Sequence, residues 1–114
     1  MKLHKSDISY FSGKVEAFLH VKGIAHEACD AGYFPMQRIA RHTGVMKLPA
    51  IELPDGRWLN DSTWMMRWLE EQHPSPPVGL DDPAQEFIAF LIEDYGDEWL
   101  WRPAMWWRWV PPLS

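Results

Sequence analysis

The chain has 114 residues, 46% hydrophobic and 24% charged, with 16 acidic against 11 basic side chains and a formal net charge of -5. That is enough apolar material for one folded domain, or one domain with a helical appendage, and it excludes a disordered chain. Seven carboxylates and no Lys or Arg lie between Asp81 and Leu100, so a nucleic-acid backbone would be repelled there and no nucleic-acid partner is expected.

Residues 2 to 9 suit a short first strand, although Lys5 and Asp7 interrupt its apolar pattern. From Ser12 to Val21 the spacing of Val15, Phe18 and Leu19 predicts one helical face, with Ser9 or Ser12 able to cap it and Gly23 to end it. Ile24 to Cys29 reads as a second strand, and Phe34 to Arg41 as a short helix with Pro35 in its first turn and Gly44 at its exit.

Pro49 leads a buried strand that runs to Leu53, Asp55-Gly56 supplies the strongest hairpin signal in the chain, and a brief strand ends near Leu59. Asp61 or Ser62 can cap the next helix, which runs to about Gln72 and carries Trp64, Met65, Trp68 and Leu69 as its apolar stripe. A rigid backbone edge beside a helix N-terminus is a ready site for a small peptide-like anion. Pro74, Pro76 and Pro77 then stop the helix.

The first 73 residues therefore read β-α-β-α-β-β-α, residues 74–82 read as a linker, and residues 83–114 as a helical region. Asp81 or Asp82 can cap that region, in which Ala84, Phe87, Ile88, Leu91, Ile92, Tyr95 and Trp99 recur at three- and four-residue intervals. Pro103 is expected to interrupt the segment after Trp99, and Pro111-Pro112 to end it. Of eight tryptophans, five fall between Trp99 and Trp109, which favours packing against another domain or subunit.

Cys29 is the only cysteine, so no intrachain disulfide and no Cys-x-x-Cys chemistry can form, and a cytoplasmic location is expected. No apolar run approaches the roughly 20 residues of a transmembrane helix. His4, His20, His26, His42 and His73 show no close metal-ligand spacing, so no metal is expected.

Three segments together resemble the glutathione transferase superfamily. Ser9-Tyr10-Phe11-Ser12-Gly13-Lys14-Val15 resembles its first-loop segment, Lys47-Leu48-Pro49-Ala50-Ile51 its Lys-Val-Pro-x-Leu run with a cis proline, and Asp61-Ser62 its acidic residue and serine. The resemblance extends through Asp82-Pro83, Asp97-Glu98-Trp99-Leu100 and Arg102-Pro103-Ala104-Met105 over about 105 residues. It implies an α/β thioredoxin-like N-terminal domain over 1–73 and the start of an all-helical C-terminal domain, whose usual hundred or so further residues are missing, so that the chain looks truncated.

The same resemblance implies reduced glutathione as ligand or cosubstrate. Ser9 would stabilise its thiolate by a hydrogen bond, with Tyr10 as alternative donor. Leu48 and Pro49 would present backbone to the peptide, Lys47 would pair with the glycyl carboxylate, and Asp61 and Ser62 would hold the γ-glutamyl end. His42 and Arg41 lie where relatives often hold the glycyl end, although Thr43-Gly44-Val45-Met46 departs from the usual Asn-Pro-x-Gly. Two functions are expected from it: an enzyme conjugating glutathione to a small electrophile, or a non-catalytic binding or protein-interaction module. Either would form a homodimer or a complex through its aromatic C-terminal region.

Overall fold

The computed structural model describes residues 1–110. They divide into two compact units, Met1–Val78 and a second that begins at Gly79. The first contains β1 (Lys2–Lys5), α1 (Tyr10–Val21), β2 (Glu27–Asp30), α2 (Tyr33–Thr43), β3 (Ala50–Glu52), β4 (Trp58–Asn60) and α3 (Ser62–Gln72). This is the order anticipated from sequence, with shorter strands. β1 ends at Lys5 because the chain turns there, Ser9 N–H donating to Ser6 O at 3.0 Å. Helix α1 starts two residues earlier than its apolar spacing suggested, because Ser9 and not Ser12 is its cap.

The four strands lie in the order β2-β1-β3-β4. β1 and β2 are parallel, joined by the α1 crossover that parallel pairing requires, while β1–β3 and β3–β4 are antiparallel. The β3–β4 connection turns at Gly56, whose φ of 86° is cheap only for glycine. Asp55 supports the turn by accepting from Arg57 N at 3.0 Å and Arg57 Nε at 2.7 Å.

Strand alternation divides the sheet into unlike faces. Leu3, Ile51 and Leu53 form one core with Val15 and Leu19 of α1, Ile24, and Met65 and Leu69 of α3. Burying each such aliphatic side chain contributes about 1.5–3 kcal/mol. Trp64 does not join this stripe: it is 66% exposed, and the Arg67 guanidinium lies 5.5 Å from its ring. The opposite face carries His4, Glu52 and Trp58, and α2 packs there through Arg38 and His42.

Lys22, at the C-cap of α1, has a wholly buried side chain. Its Nζ lies 2.7 Å from Glu70 Oε2 and donates to Pro76 O at 2.6 Å.

The second unit contains α4 (Pro83–Tyr95), a π-helical turn at Gly96–Leu100 and α5 (Trp101–Trp109). Asp82 caps α4, its Oδ1 accepting from Ala84 N and Gln85 N at 2.9 Å. Pro103 does not break the helical run. It falls in the first turn of α5, directly after the register change of the π turn, where a missing N–H is tolerated. The stop expected at Pro111-Pro112 lies outside the described residues. Among those residues, no helix is long and apolar enough to cross a membrane.

Candidate functional site

Three chain segments meet at one end of the sheet. Because β1 is antiparallel to β3 with His4 opposite Ala50, the chain leaves β1 where it enters β3. Because Ala50 also faces Asn60, it leaves β4 at that same end. Ser9, Leu48-Pro49 and Asp61-Ser62 are the residues just beyond those strand ends, and α1 and α3 both begin there. Two helix N-termini therefore direct their partial positive charge and unpaired N–H groups toward this end of the sheet.

Each segment is held locally. Ser9 is half-buried and caps α1, Oγ accepting from Ser12 N at 3.2 Å. Ser12, wholly buried behind it, accepts from Ser6 N at 3.3 Å and so ties the β1–α1 turn to the helix. Tyr10 is the first residue of α1 and 41% exposed.

The Leu48–Pro49 peptide is cis, as is Ser75–Pro76. Leu48 is half-buried, Pro49 buried and Lys47 exposed. Asn60, which belongs to no motif recognised in the sequence, orders this segment: its Nδ2 donates to Pro49 O at 3.4 Å and lies 3.5 Å from Lys47 O. A polar amide at the end of a strand, next to a helix cap, was the available signal.

Asp61 has φ 75° and ψ 115°, and is the one non-glycine residue with positive φ among those described. Its side chain is the compensation: Oδ1 accepts from Thr63 N at 3.1 Å and Trp64 N at 3.2 Å, capping α3. A strained backbone held by such bonds is a common property of functional positions. Ser62 follows as the first helical residue and is 8% exposed.

Other residues singled out from sequence fall elsewhere. Arg41 and His42 form the exposed last turn of α2, His42 stacking on Trp58 with ring centroids 5.0 Å apart. His4 stacks on Trp58 at the same distance, and Arg38 lies 5.3 Å from that ring. Glu52 joins the group, 3.3 Å from His4 Nε2 and 2.7 Å from Arg38 Nη2. Burial alone would raise the Glu52 carboxyl, but the His4 hydrogen bond and the charges of Arg38 and Lys2 outweigh it and hold it below the usual glutamate value. Cys29 lies on the edge strand β2, where desolvation and the nearby Glu27 push its thiol up, away from nucleophilic use.

A ββα unit following a βαβ unit, with its chain turns gathered at one sheet end, defines a thioredoxin-like protein. The family model for the glutathione S-transferase N-terminal domain matches residues 3–77. The chain belongs to the glutathione S-transferase family.

A glutathione S-transferase from Methylobacterium radiotolerans, in complex with glutathione sulfonate, is 30% identical with a TM-score of 0.70 over 75% of this chain and 41% of that one. One from Methylobacillus flagellatus with glutathione bound is 25% identical, with a TM-score of 0.75 over 84% of this chain and 48% of that one. The Tau class enzyme from mango, at 23% identity and a TM-score of 0.78, covers 90% of this chain and 47% of its own and supports the fold alone. The chain thus spans less than half the length of these relatives. No curated protein matches it in sequence.

Proposed function

We propose that the sheet end bearing Ser9, Leu48-Pro49 and Asp61-Ser62 binds reduced glutathione. The carrying observation is the convergence of those three segments, with two helix N-termini, on one edge. The glutathione carried by the Methylobacillus relative supports the choice of ligand. In this reading the free β3 entry at Leu48 pairs with the peptide backbone, and the exposed Lys47 ammonium meets the glycyl carboxylate. Asp61 and Ser62 receive the γ-glutamyl amino and carboxylate groups.

Ser9 donates a hydrogen bond from its hydroxyl to the sulfur. A free thiol has a pKa near 8.5, and a hydroxyl donor at a helix N-terminus favours the thiolate, the form that attacks an electrophile. Conjugation would release the thiol proton to solvent and form a carbon–sulfur bond between the thiolate and an electrophilic carbon, whose leaving group departs as an anion with its bonding pair. Titration of the chain with reduced glutathione tests the reading: saturable binding weakened by Ser9→Ala and Asp61→Asn is expected, and no binding at millimolar ligand would overturn it.

The second unit favours an additional or alternative role as a binding module. Phe87, Ile88, Leu91 and Ile92 of α4 and Trp106 and Trp107 of α5 are all exposed. That much apolar surface suits a homodimer or a heterologous complex. Retained glutathione binding without turnover of a panel of electrophiles is the expected signature of a module. A strictly monomeric species across a light-scattering concentration series would count against the association.

A further inference from the structure

We infer a divalent transition-metal site formed by Glu16, His20 and His26, outside the proposed glutathione site and independent of it. Histidine spacing along the chain carries no sign of such a site. The fold creates it: Glu16 and His20 are four residues apart on α1 and share a face, and the turn at Gly23 (φ 64°) brings His26 back beside them. One ligand atom from each of the three lies within 4.8 Å of the others, and the two imidazole centroids are 5.5 Å apart.

The hydrogen bond of His26 suits a metal ligand. Its Nδ1 lies 2.9 Å from Ile24 O, and because a carbonyl only accepts, Nδ1 is the donor, which in the neutral imidazole leaves the lone pair on Nε2. A backbone carbonyl holding the far nitrogen of a ligating histidine is a recurring arrangement that orients the ring. Two imidazoles and one carboxylate suit Zn2+ and its neighbours in the transition series, with one coordination position left for water. Metal–ligand bonds of about 2.0–2.1 Å place tetrahedral ligand atoms roughly 3.4 Å apart, so closure needs side-chain movement of about an ångström. The exposed His20 and half-buried Glu16 and His26 leave room for it.

Lys5 is the competitor. Its ammonium donates to both Glu16 oxygens, at 2.9 and 2.7 Å, and also lies 2.9 Å from Asp7. Metal binding would transfer the ammonium toward Asp7 and release a Glu16 lone pair. His20 lies 11 residues beyond Ser9, or about 16 Å along the helix axis, so the two sites can be altered separately.

The test is calorimetric titration of the untagged chain with Zn2+ alone, in the absence of glutathione, together with Co2+ absorption spectra as a report of coordination. One ion per chain is expected. His20→Ala and His26→Ala should each weaken binding by about tenfold or more, Lys5→Met should tighten it several-fold, and Cys29→Ser and His42→Ala should leave it unchanged. Circular dichroism of each variant checks that it is folded. Absence of saturable binding at roughly millimolar Zn2+, or equal affinity in the His20→Ala/His26→Ala double variant, would overturn the assignment.

Discussion

The backbone N–H of Ser12 donates to Ser9 Oγ at 3.2 Å. This bond uses a lone pair of the Ser9 hydroxyl and leaves its proton available, so capping α1 and donating to a thiolate are compatible duties of one side chain. Ser9→Ala removes both. Loss of the cap should cost about 0.5–2 kcal/mol in urea unfolding. The thiol of bound glutathione should separately titrate at higher pH, as read from thiolate absorbance. Ser9→Thr keeps the cap and the hydroxyl and should restore most of both. An unchanged thiol titration in Ser9→Ala would remove Ser9 from the proposed chemistry.

Asp61 allows charge to be separated from structure. Asn tolerates positive φ and keeps an oxygen for the Thr63 and Trp64 N–H groups, so Asp61→Asn should change stability by less than about 0.5 kcal/mol. It removes the negative charge proposed to face the ligand amino group, and glutathione binding should weaken by about tenfold. Asp61→Ala loses the cap while retaining the awkward φ, and should cost more than about 1 kcal/mol of stability. Paired calorimetry and unfolding curves check both arms.

Local chemistry explains why so much of the fold is legible in the sequence. Gly44 at φ 79° ends α2 and Gly56 at φ 86° turns the hairpin, and both duties belong to glycine wherever it occurs. Asp61-Ser62 reads as a cap because capping needs only neighbouring residues. The polar face of the sheet is invisible for the opposite reason: His4 and Glu52 are 48 residues apart, and only the β1–β3 register brings them to the same face. Trp64 is misplaced by its spacing because helical periodicity defines a stripe but not its width. The roles of Lys47 and Leu48 toward a ligand rest on family resemblance, since a backbone edge carries no side-chain signature.

Glu52 gives stability a pH dependence of definite sign. Its carboxyl ionises more readily folded than unfolded, because His4 and Arg38 favour the anion. The resulting stabilisation is present above the unfolded value, 4.5 for an ordinary glutamate, and is lost as pH falls through the lower folded value. Glu52→Gln should flatten the acid side of a stability–pH profile while leaving its slope above neutrality unchanged. An equally steep acid limb in that variant would assign the effect to other carboxylates.

The Lys22–Glu70 pair predicts an asymmetry between its two deletions. The Lys22 side chain has no exposure, whereas that of Glu70 is 29% exposed. Glu70→Ala strands a buried ammonium with only the Pro76 carbonyl and the edge of contact with Phe18, 6.0 Å from Nζ to ring centroid. It also removes the carboxylate that accepts from Val78 N at 3.1 Å. An uncompensated buried charge should make this loss about 3 kcal/mol. Lys22→Met is different in degree: methionine fills the stem's volume and solvent can replace the donor to the exposed Pro76, while Glu70 Oε2, itself shielded from solvent, loses its ammonium but Oε1 keeps the Val78 N–H. Its cost should be smaller, about 1–2 kcal/mol. Urea unfolding of the two variants at pH 7 checks the ranking, and equal costs would mean that the pair stabilises through mutual attraction rather than through the need to neutralise Lys22.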